Sequence, residues 1–240
     1  MNSRTATVRK AMSNNREFRQ SRFQPPPGAC EILLVRHGES APHVEGESFP
    51  LVDGHGDPPL APDGHAQAEL AAERLIATGE QIAAVYVTSL QRTRQTAQPL
   101  LDRIGLEARV EPDLREVFLG DWEGGEFRKR VADGDPLALE MRAAQRWDVI
   151  PNGEPADDFE RRVRAGIERI AAAHPDEVVV AVVHGGVIGQ IVNIAAGTSG
   201  FTFVGADNAS ISHIVVDGHQ WIVRCFNDTS HLTPTFSTAG

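Results

Sequence analysis

The stretch Glu31-Ile-Leu-Leu-Val-Arg-His-Gly-Glu-Ser40 is the segment on which the fold prediction rests. Its first five residues form a short apolar run, which predicts a buried β-strand that ends at Arg-His-Gly. A similar run, Val178-Val-Val-Ala-Val-Val183, ends at His184-Gly185-Gly186, and the run Val85-Tyr-Val87 is followed by Thr88-Ser-Leu-Gln-Arg92. The chain therefore contains three predicted strands that each lead directly into polar or glycine residues.

Helical patterns fill the segments between these strands. One face over residues 64–78 is apolar at helical spacing, and Asp63 is in a position to cap this helix. Its apolar residues are Ala68, Ala71, Ala72 and Leu75. The same reasoning predicts helices over 89–104, 136–147, 157–174 and 185–196, and a hairpin over 212–225. Strands that alternate with helices predict a three-layer α/β/α fold with a mostly parallel central sheet.

Two histidines and two arginines are expected to meet at one edge of this sheet. Parallel sheets bind ligands beyond the carboxyl ends of their strands, and the three predicted strands end beside Arg36, His37, Arg92 and His184. Arginine presents a planar, permanently charged fork that matches phosphate oxygens. A helix that starts at Gly185 adds backbone N–H donors, and a neutral histidine can act as a nucleophile. The residues therefore suit a phosphate dianion.

Composition narrows the classes of protein. The chain has 240 residues, 41% of them hydrophobic, which is enough for one large α/β domain with a real core. It contains no run of about 20 apolar residues, so no membrane partner is expected. Its net charge of −10 disfavours a nucleic-acid partner. Two cysteines, Cys30 and Cys225, are too few for a disulfide framework, and a cytoplasmic location is the default expectation.

The N-terminal residues differ from the rest of the chain in charge. Residues 1–29 hold six basic residues against one acidic residue and end in Pro25-Pro-Pro-Gly28. We expect a disordered basic arm here, with a mis-assigned start or a tail that folds over an anionic ligand as alternatives. Residues 30–240 are expected to form a single catalytic domain, and the sequence leaves its oligomeric state open.

The segment Ile32–Ser40 resembles the signature of the histidine phosphatase superfamily, also called the phosphoglycerate-mutase-like superfamily. Further blocks in the expected order carry the same resemblance, which covers roughly residues 31–226. These blocks are Asp57-Pro-Pro-Leu60 with Gly64 and Gln67-Ala68, Thr88–Arg92 with Thr96 and Ala97, Leu114-Arg-Glu116 with Gly120, Trp122, Glu123 and Gly124, Pro151 with Gly153, Glu154, Arg162 and Val163, and His184-Gly185-Gly186.

The resemblance implies a role for each site residue. His37 would attack phosphorus and become phosphohistidine, while Arg36, Arg92 and His184 would hold the phosphoryl oxygens. Glu116 would protonate the leaving oxygen and then accept a proton from the attacking water. The resemblance implies no metal and no other cofactor, because arginines supply the positive charge.

Three further residues are candidates for phosphate contact. The resemblance adds Ser40 and the N–H of Gly185 to the phosphate-binding set. His43 falls where many members of the family carry an asparagine that contacts phosphate. A metal site built from His43, His55 and His65 is an alternative, but their spacing is irregular.

The expected activity is hydrolysis of a small phosphorylated substrate. A mutase would use the same phosphohistidine and return the phosphoryl group to its substrate, and a non-catalytic binding protein on the same fold is a further alternative. The stretch Val117–Gly124 replaces the tyrosine-containing segment of true phosphoglycerate mutases, which favours the phosphatase branch.

Trp122 and Trp147 are core or pocket candidates. The run Arg128-Lys129-Arg130 is typical of a solvated face, with attraction of phosphorylated substrate as the alternative.

Overall fold

The computed structural model describes residues 18–232 and contains a central sheet of six strands. The described residues form eight strands, six in this sheet and two in a small hairpin. They are β1 (Cys30–Arg36), β2 (Leu51–Val52), β3 (His55–Gly56), β4 (Ile82–Val87), β5 (Ala108–Val110), β6 (Val178–Val183), β7 (Ile211–Asp217) and β8 (Gln220–Asp228). The central sheet has the order β5-β4-β6-β1-β7-β8, and β2 pairs with β3 in a separate small hairpin. Strands β5, β4, β6 and β1 are parallel, whereas β7 is antiparallel to both β1 and β8. The predicted fold class is therefore confirmed.

Residues 18–232 form six α-helices, of which the first two and the last two cover the faces of the sheet. They are α1 (Pro62–Ala77), α2 (Gln91–Ile104), α3 (Glu126–Asp133), α4 (Pro136–Ala144), α5 (Ala156–Ala173) and α6 (Gly185–Ala196). The predicted cap of α1 is wrong, because Ala61 is the N-cap residue and Pro62 begins the helix. Proline suits this position, since its fixed φ is helical and its missing N–H would have no partner there. Asp63 lies inside the first turn, and helix α3 was not expected from the sequence.

Strand β6 shows how the sheet separates two apolar layers. Val179, Ala181 and Val183 belong to one buried cluster, which includes the apolar faces of α5 and α6. Val180 and Val182 belong to the other, which includes the faces of α1 and α2. Successive side chains of a strand point to opposite faces, so a continuous apolar run is needed when both faces are covered. This explains why β6 reads as an unbroken run of valine and alanine.

A third, smaller apolar cluster lies outside the two main layers. It is built from residues 119–150, which we call the cap, with Phe201 packed against it. Trp122 is 2% exposed at the centre of this cluster, and Trp147 packs on its edge. Both tryptophans thus have the packing role that the sequence analysis assigned to them.

The predicted basic arm lies partly outside the described residues. Residues 18–29 contain no helix or strand, and the guanidinium of Arg224 lies 3.8 Å from the ring centre of Phe23. The boundary at residue 29 stays a prediction. Across residues 18–232, no helix has the length and apolar character needed to span a bilayer.

Candidate active site

Two histidines meet where β1 and β6 end. The two strands are parallel, with Arg36 opposite Val183, so the next residues along each strand are neighbours. The rings of His37 and His184 lie edge to face with centres 5.2 Å apart, and both residues are buried. The N–H of His37 donates to the carbonyl of Val183 at 3.0 Å, and Asn208 donates to the carbonyl of His37 at 3.0 Å. The backbone of His37 is therefore held on both sides.

The hydrogen bonds of His37 determine which ring nitrogen carries the proton. Its Nδ1 lies 2.7 Å from the carbonyl oxygen of Gly38, and a carbonyl can only accept. The proton is thus on Nδ1, and Nε2 presents a lone pair that accepts from Nε of Arg92 at 3.2 Å. Burial lowers the pKa of His37 well below its ordinary value, and the charges of Arg92 and Arg36 lower it further. The imidazole is therefore neutral and nucleophilic.

Close backbone packing fixes the loop that follows His37. A Cβ on Gly38 would lie 2.3 Å from the carbonyl oxygen of Gly64 in the first turn of α1. A Cβ on Gly64 would lie 2.0 Å from the carbonyl oxygen of Glu39. Neither position can accept a side chain without a backbone shift, so both glycines are required by the approach of the loop to the helix.

Arg92 is the second residue of α2 and points across the edge of the sheet toward His37. Its Nη1 donates to the carbonyl of Gly56 at 2.9 Å and lies 3.8 Å from Oδ1 of Asp57. The same Oδ1 accepts the N–H of Gln91 at 2.8 Å, so Asp57 connects the loop before α1 to the start of α2. Burial lowers the pKa of Arg92, but an arginine remains cationic.

Arg36 supplies a second cation from the last position of β1. Its Nη1 donates to the carbonyl of Ala206 at 2.6 Å. Its Nε is buried and has no hydrogen-bond partner among residues 18–232. A Cβ on Gly185 would lie 3.3 Å from that Nε, so the absence of a side chain leaves room for the guanidinium beside the start of α6. A buried donor without a partner is unusual and suits an anionic ligand.

His184 is held by a hydroxyl from the neighbouring strand. Its Nε2 lies 3.0 Å from Oγ1 of Thr88, which follows β4. Its Nδ1 is buried without a partner in the described part of the chain. Burial lowers the pKa of His184 well below its ordinary value, with Arg92 and His37 as further causes. A neutral imidazole with one free nitrogen can bind an oxygen of a ligand.

Glu116 reaches the same site from an irregular loop. Its carboxylate accepts the N–H of Val117 at 3.0 Å and the N–H of Gly186 at 3.3 Å. A Cβ on Gly186 would lie 2.6 Å from Oε1 of Glu116, so the first turn of α6 packs directly against this carboxylate. The N-terminus of α6 thus contacts Glu116, and the phosphate contact expected of the N–H of Gly185 stays a prediction.

Arg162 on α5 holds the backbone that carries Glu116. Its guanidinium donates to the carbonyls of Asp113, Arg115 and Glu116 at 2.7, 2.7 and 2.8 Å. The same group forms two hydrogen bonds with Glu154 at 2.6 and 2.8 Å. Five hydrogen bonds from one planar group therefore hold the backbone of residues 113–116 and the carboxylate of Glu154 against α5.

Arg36, His37, Arg92 and Glu116 line a cavity of about 340 Å³, whereas His184 is not among its wall residues. The rest of the wall includes apolar residues of the cap, of the loop before α1 and of the segment that follows Glu116. The apolar wall residues are Phe49, Pro58, Val117, Leu119, Trp122, Phe127 and Trp147. Pockets for small molecules typically span about 300 to 1,000 Å³, so this volume suits a small metabolite.

Ser40 and His43 lie on an adjoining cavity rather than on this one. That second cavity measures about 550 Å³ and shares Arg36 and Arg128 with the first. The hydroxyl of Ser40 accepts a hydrogen bond from Arg128 at 2.7 Å. The ring of His43 packs edge to face on Phe49, with centres 5.6 Å apart. The structure therefore brings Arg36, His37, Arg92, Glu116 and His184 together and places Ser40 and His43 one cavity away.

Two residues on the cavity wall were not assigned to the site by the sequence. His55 on β3 is 9% exposed, and its Nδ1 lies 3.2 Å from the carbonyl of Asp53, while its Nε2 has no partner among residues 18–232. Arg128 on α3 extends to the cavity mouth. The described residues contain no group of three or more His, Cys, Asp or Glu side chains placed to hold a metal ion.

Comparison with known proteins agrees with this geometry. A family model described as histidine phosphatase superfamily (branch 1) matches residues 32–229. The chain is 34% identical over 210 residues to phosphoglycerate mutase-like protein 4 of Arabidopsis thaliana, which spans 86% of this chain and 88% of that protein. It is 32% identical over 223 residues to the metal-independent phosphoserine phosphatase of the same plant, with 91% and 90% covered.

Among solved structures, the native mycobacterial glucosyl-3-phosphoglycerate phosphatase superposes with a TM-score of 0.67 at 27% identity. The alignment covers 84% of this chain and 100% of that chain. The family match extends over most of the chain, and the two plant relatives align over 88% and 90% of their own length. The protein therefore belongs to the histidine phosphatase superfamily.

Proposed function

We propose that the protein is a phosphatase that hydrolyses a small phosphorylated metabolite through a phosphohistidine on Nε2 of His37. The observation that carries this proposal is the hydrogen bond from Nδ1 of His37 to the carbonyl of Gly38 at 2.7 Å. It leaves the lone pair of Nε2 beside a cavity that the buried Arg92 and the half-buried Arg36 border. A lowered pKa keeps that nitrogen unprotonated at neutral pH.

The first chemical step forms a bond between Nε2 and phosphorus and breaks the bond between phosphorus and the ester oxygen. Arg92 and the unpartnered Nε of Arg36 would bind phosphoryl oxygens, whose charge is stabilised most in the transition state. The hydroxyl of Thr88 would donate to Nε2 of His184, which leaves the imidazole proton of His184 on Nδ1. The Nδ1–H of His184 would then donate to another phosphoryl oxygen. A phosphoryl oxygen would take the place of Nε2 of His37, which accepts the hydrogen bond from Nε of Arg92 in the free protein.

Glu116 completes the proton balance. In its protonated form it would give a proton to the departing ester oxygen, and the resulting carboxylate would take a proton from water. That water attacks phosphorus, the bond to Nε2 breaks, and inorganic phosphate leaves with His37 restored. Support for this role comes from the position of the carboxylate on the same cavity wall as His37. The cytoplasmic location remains a prediction.

The alternative activity is phosphoryl transfer between positions of one substrate. It deserves a separate test because one relative is a phosphoglycerate mutase-like protein and another is a phosphoserine phosphatase. Both activities would pass through the same phosphohistidine and differ in whether water or the substrate accepts the phosphoryl group. A panel of phosphate monoesters, together with 3-phosphoglycerate plus bisphosphoglycerate, distinguishes release of phosphate from isomerisation.

The covalent step is tested with substrate labelled in its phosphoryl group. Rapid acid-free quenching of the wild-type enzyme should trap labelled protein whose label is lost in acid and kept in base. His37→Ala should trap no label and release no phosphate, while the exposed His65→Ala should match wild type. Ordinary turnover by His37→Ala would overturn covalent catalysis at this residue. If wild type hydrolyses none of the esters in the panel, the result would instead support a non-catalytic binding protein on the same fold.

A further inference from the structure

Arg128 extends from α3 to the boundary between the two cavities. Its Nη1 donates to the carbonyl of Ala41 at 2.8 Å, and its Nη2 donates to Oγ of Ser40 at 2.7 Å. Its guanidinium carbon lies 5.2 Å from the ring centre of Phe49, a further cation–π contact. These three contacts fix the orientation of the planar group, and the residue remains exposed at the cavity mouth. A ligand can therefore reach it.

The charge of Arg128 is not neutralised by an ion pair within residues 18–232. Its neighbours on α3 differ in this respect, since Lys129 pairs with Asp133 at 2.7 Å and Arg130 pairs with Asp135 at 2.9 Å. Arg128 instead uses two of its five N–H donors on neutral oxygens, and three remain. Loss of hydration and the nearby charge of Arg36 lower its pKa, while Glu39 raises it.

The positively charged side chains around His37 outnumber the two negative charges of one phosphoryl group. Arg36 and Arg92 already match the two charges of a phosphate dianion at the nucleophile. Arg128 adds a third positive charge on the wall of the same cavity. A third cation that faces substrate and has no acid partner suits a second negative charge on that substrate.

We propose that Arg128 determines substrate specificity by binding a carboxylate of the phosphorylated substrate. This inference rests on the proposed phosphatase function and names its substrate class, a phosphate ester that also carries a carboxylate. A carboxylate is favoured over a second phosphate because one cation balances one negative charge. The cavity of about 340 Å³ also favours a compact acid. The planar guanidinium matches a carboxylate with two parallel hydrogen bonds.

The test compares esters that carry a carboxylate with counterparts in which a hydrogen or a hydroxymethyl group replaces it. One pair is O-phosphoserine and O-phosphoethanolamine, and a second pair is 3-phosphoglycerate and glycerol 3-phosphate. For each pair, kcat/KM is measured for wild type, Arg128→Met, Arg128→Lys and Arg94→Met. The last variant is the matched control, because Arg94 is an exposed arginine on α2 whose loss removes the same charge.

We expect wild type to prefer the carboxylate ester in at least one pair. Arg128→Met should reduce that preference by about 10- to 100-fold, the range for losing a charge-assisted hydrogen bond. Arg128→Lys should reduce it less, because the charge remains while the planar fork is lost. Arg94→Met should leave the preference unchanged. Equal loss for both members of a pair, or no preference in wild type, would overturn the proposal.

A second measurement separates this proposal from the proposed function. Calorimetric affinities of the same pairs are measured in the His37→Ala background, with and without Arg128→Met, where no turnover occurs. A carboxylate-dependent loss of affinity supports Arg128 even if hydrolysis by the wild-type protein fails. Identical affinities with and without Arg128→Met would overturn Arg128 as a carboxylate site even if the phosphohistidine is demonstrated.

Discussion

Nε of Arg92 donates to Nε2 of His37 at 3.2 Å, so the proposed phosphate-binding cation contacts the proposed nucleophilic nitrogen in the free protein. This contact occupies the lone pair of Nε2. Under the proposed mechanism, a phosphoryl oxygen of the substrate would take the place of Nε2 as the acceptor for this N–H, which would free the nitrogen to attack phosphorus. Binding of the phosphoryl group and release of the nitrogen would then be coupled.

Arg92→Lys should be poorly tolerated although it keeps the positive charge. Lysine cannot donate both to the carbonyl of Gly56 and to phosphoryl oxygens from one planar group. Loss of such a contact in the transition state costs about 2–4 kcal/mol, or about 10² to 10³ in rate. The measurement is kcat with a saturating phosphate ester, and a value near wild type would place Arg92 outside the reacting set.

Glu116→Gln should reveal general acid catalysis through the leaving group. An alkyl phosphate expels a strongly basic alkoxide, so pre-steady-state phosphorylation of His37 should fall by about 10² to 10⁴. A nitrophenyl phosphate expels a stable phenolate, and its phosphorylation step should fall much less. Equal losses for both esters would assign the acid role elsewhere, with Glu123 or Glu39 as the next residues to test.

Arg162 is expected to act as a positioning residue for Glu116. Arg162→Met removes the donors to three carbonyls and to Glu154, so both stability and activity should fall. A positioning role predicts a larger loss for alkyl esters than for nitrophenyl phosphate, which a general loss of folded protein would not produce. The neighbouring Arg161→Met should leave the leaving-group dependence unchanged, since this exposed residue pairs only with Asp158 in the described chain.

Buried neutral histidines predict a loss of stability in mild acid. The pKa values of His37 and His184 lie well below the ordinary value of 6.5 because burial disfavours their charged forms. Below pH 6.5 the unfolded chain thus binds more protons than the fold, and the free energy of unfolding decreases as pH falls. Each histidine contributes a slope of up to about 1.4 kcal/mol per pH unit.

Urea denaturation between pH 8 and pH 5 measures this slope. His184→Gln removes one of the two groups, so the slope should become shallower whatever its effect on stability at pH 8. Carboxylates whose pKa values are lowered in the fold, such as Asp148, also contribute to the free energy of unfolding. They lose that contribution only at more acidic pH, because the ordinary pKa of an aspartate is 3.8. An unchanged slope in the variant would contradict a neutral buried His184.

The meeting of two histidines and two arginines at one edge of the sheet was predictable from the residues alone. Arg36, His37, Arg92 and His184 each follow or closely follow an apolar strand, and parallel strands end at one edge of a sheet. Their adjacency needs no information beyond the strand pattern. Glu116 differs because it lies on an irregular loop whose position depends on Arg162, and only the resemblance to a family indicated it.

His55 and Arg128 could not be placed from local patterns. His55 is positioned by a hairpin of two-residue strands, and Arg128 by a short helix with no buried residue. Such elements are stabilised by tertiary contacts rather than by periodicity, so their orientation appears only when the whole chain is folded. The basic run that includes Arg128 has the composition of a solvated face, and two of its three residues do form surface ion pairs.

The cap has an apolar core separate from the two layers that cover the sheet. The proposed nucleophile and the arginines beside it lie at the ends of hydrogen-bonded strands and on α2, whereas much of the remaining cavity wall comes from residues 119–150. Exchange of this cassette between relatives should therefore give chimaeras that retain phosphoryl chemistry and acquire a new substrate range. The condition is that Glu154 and Arg162, which flank the exchanged region, still anchor the backbone of Glu116.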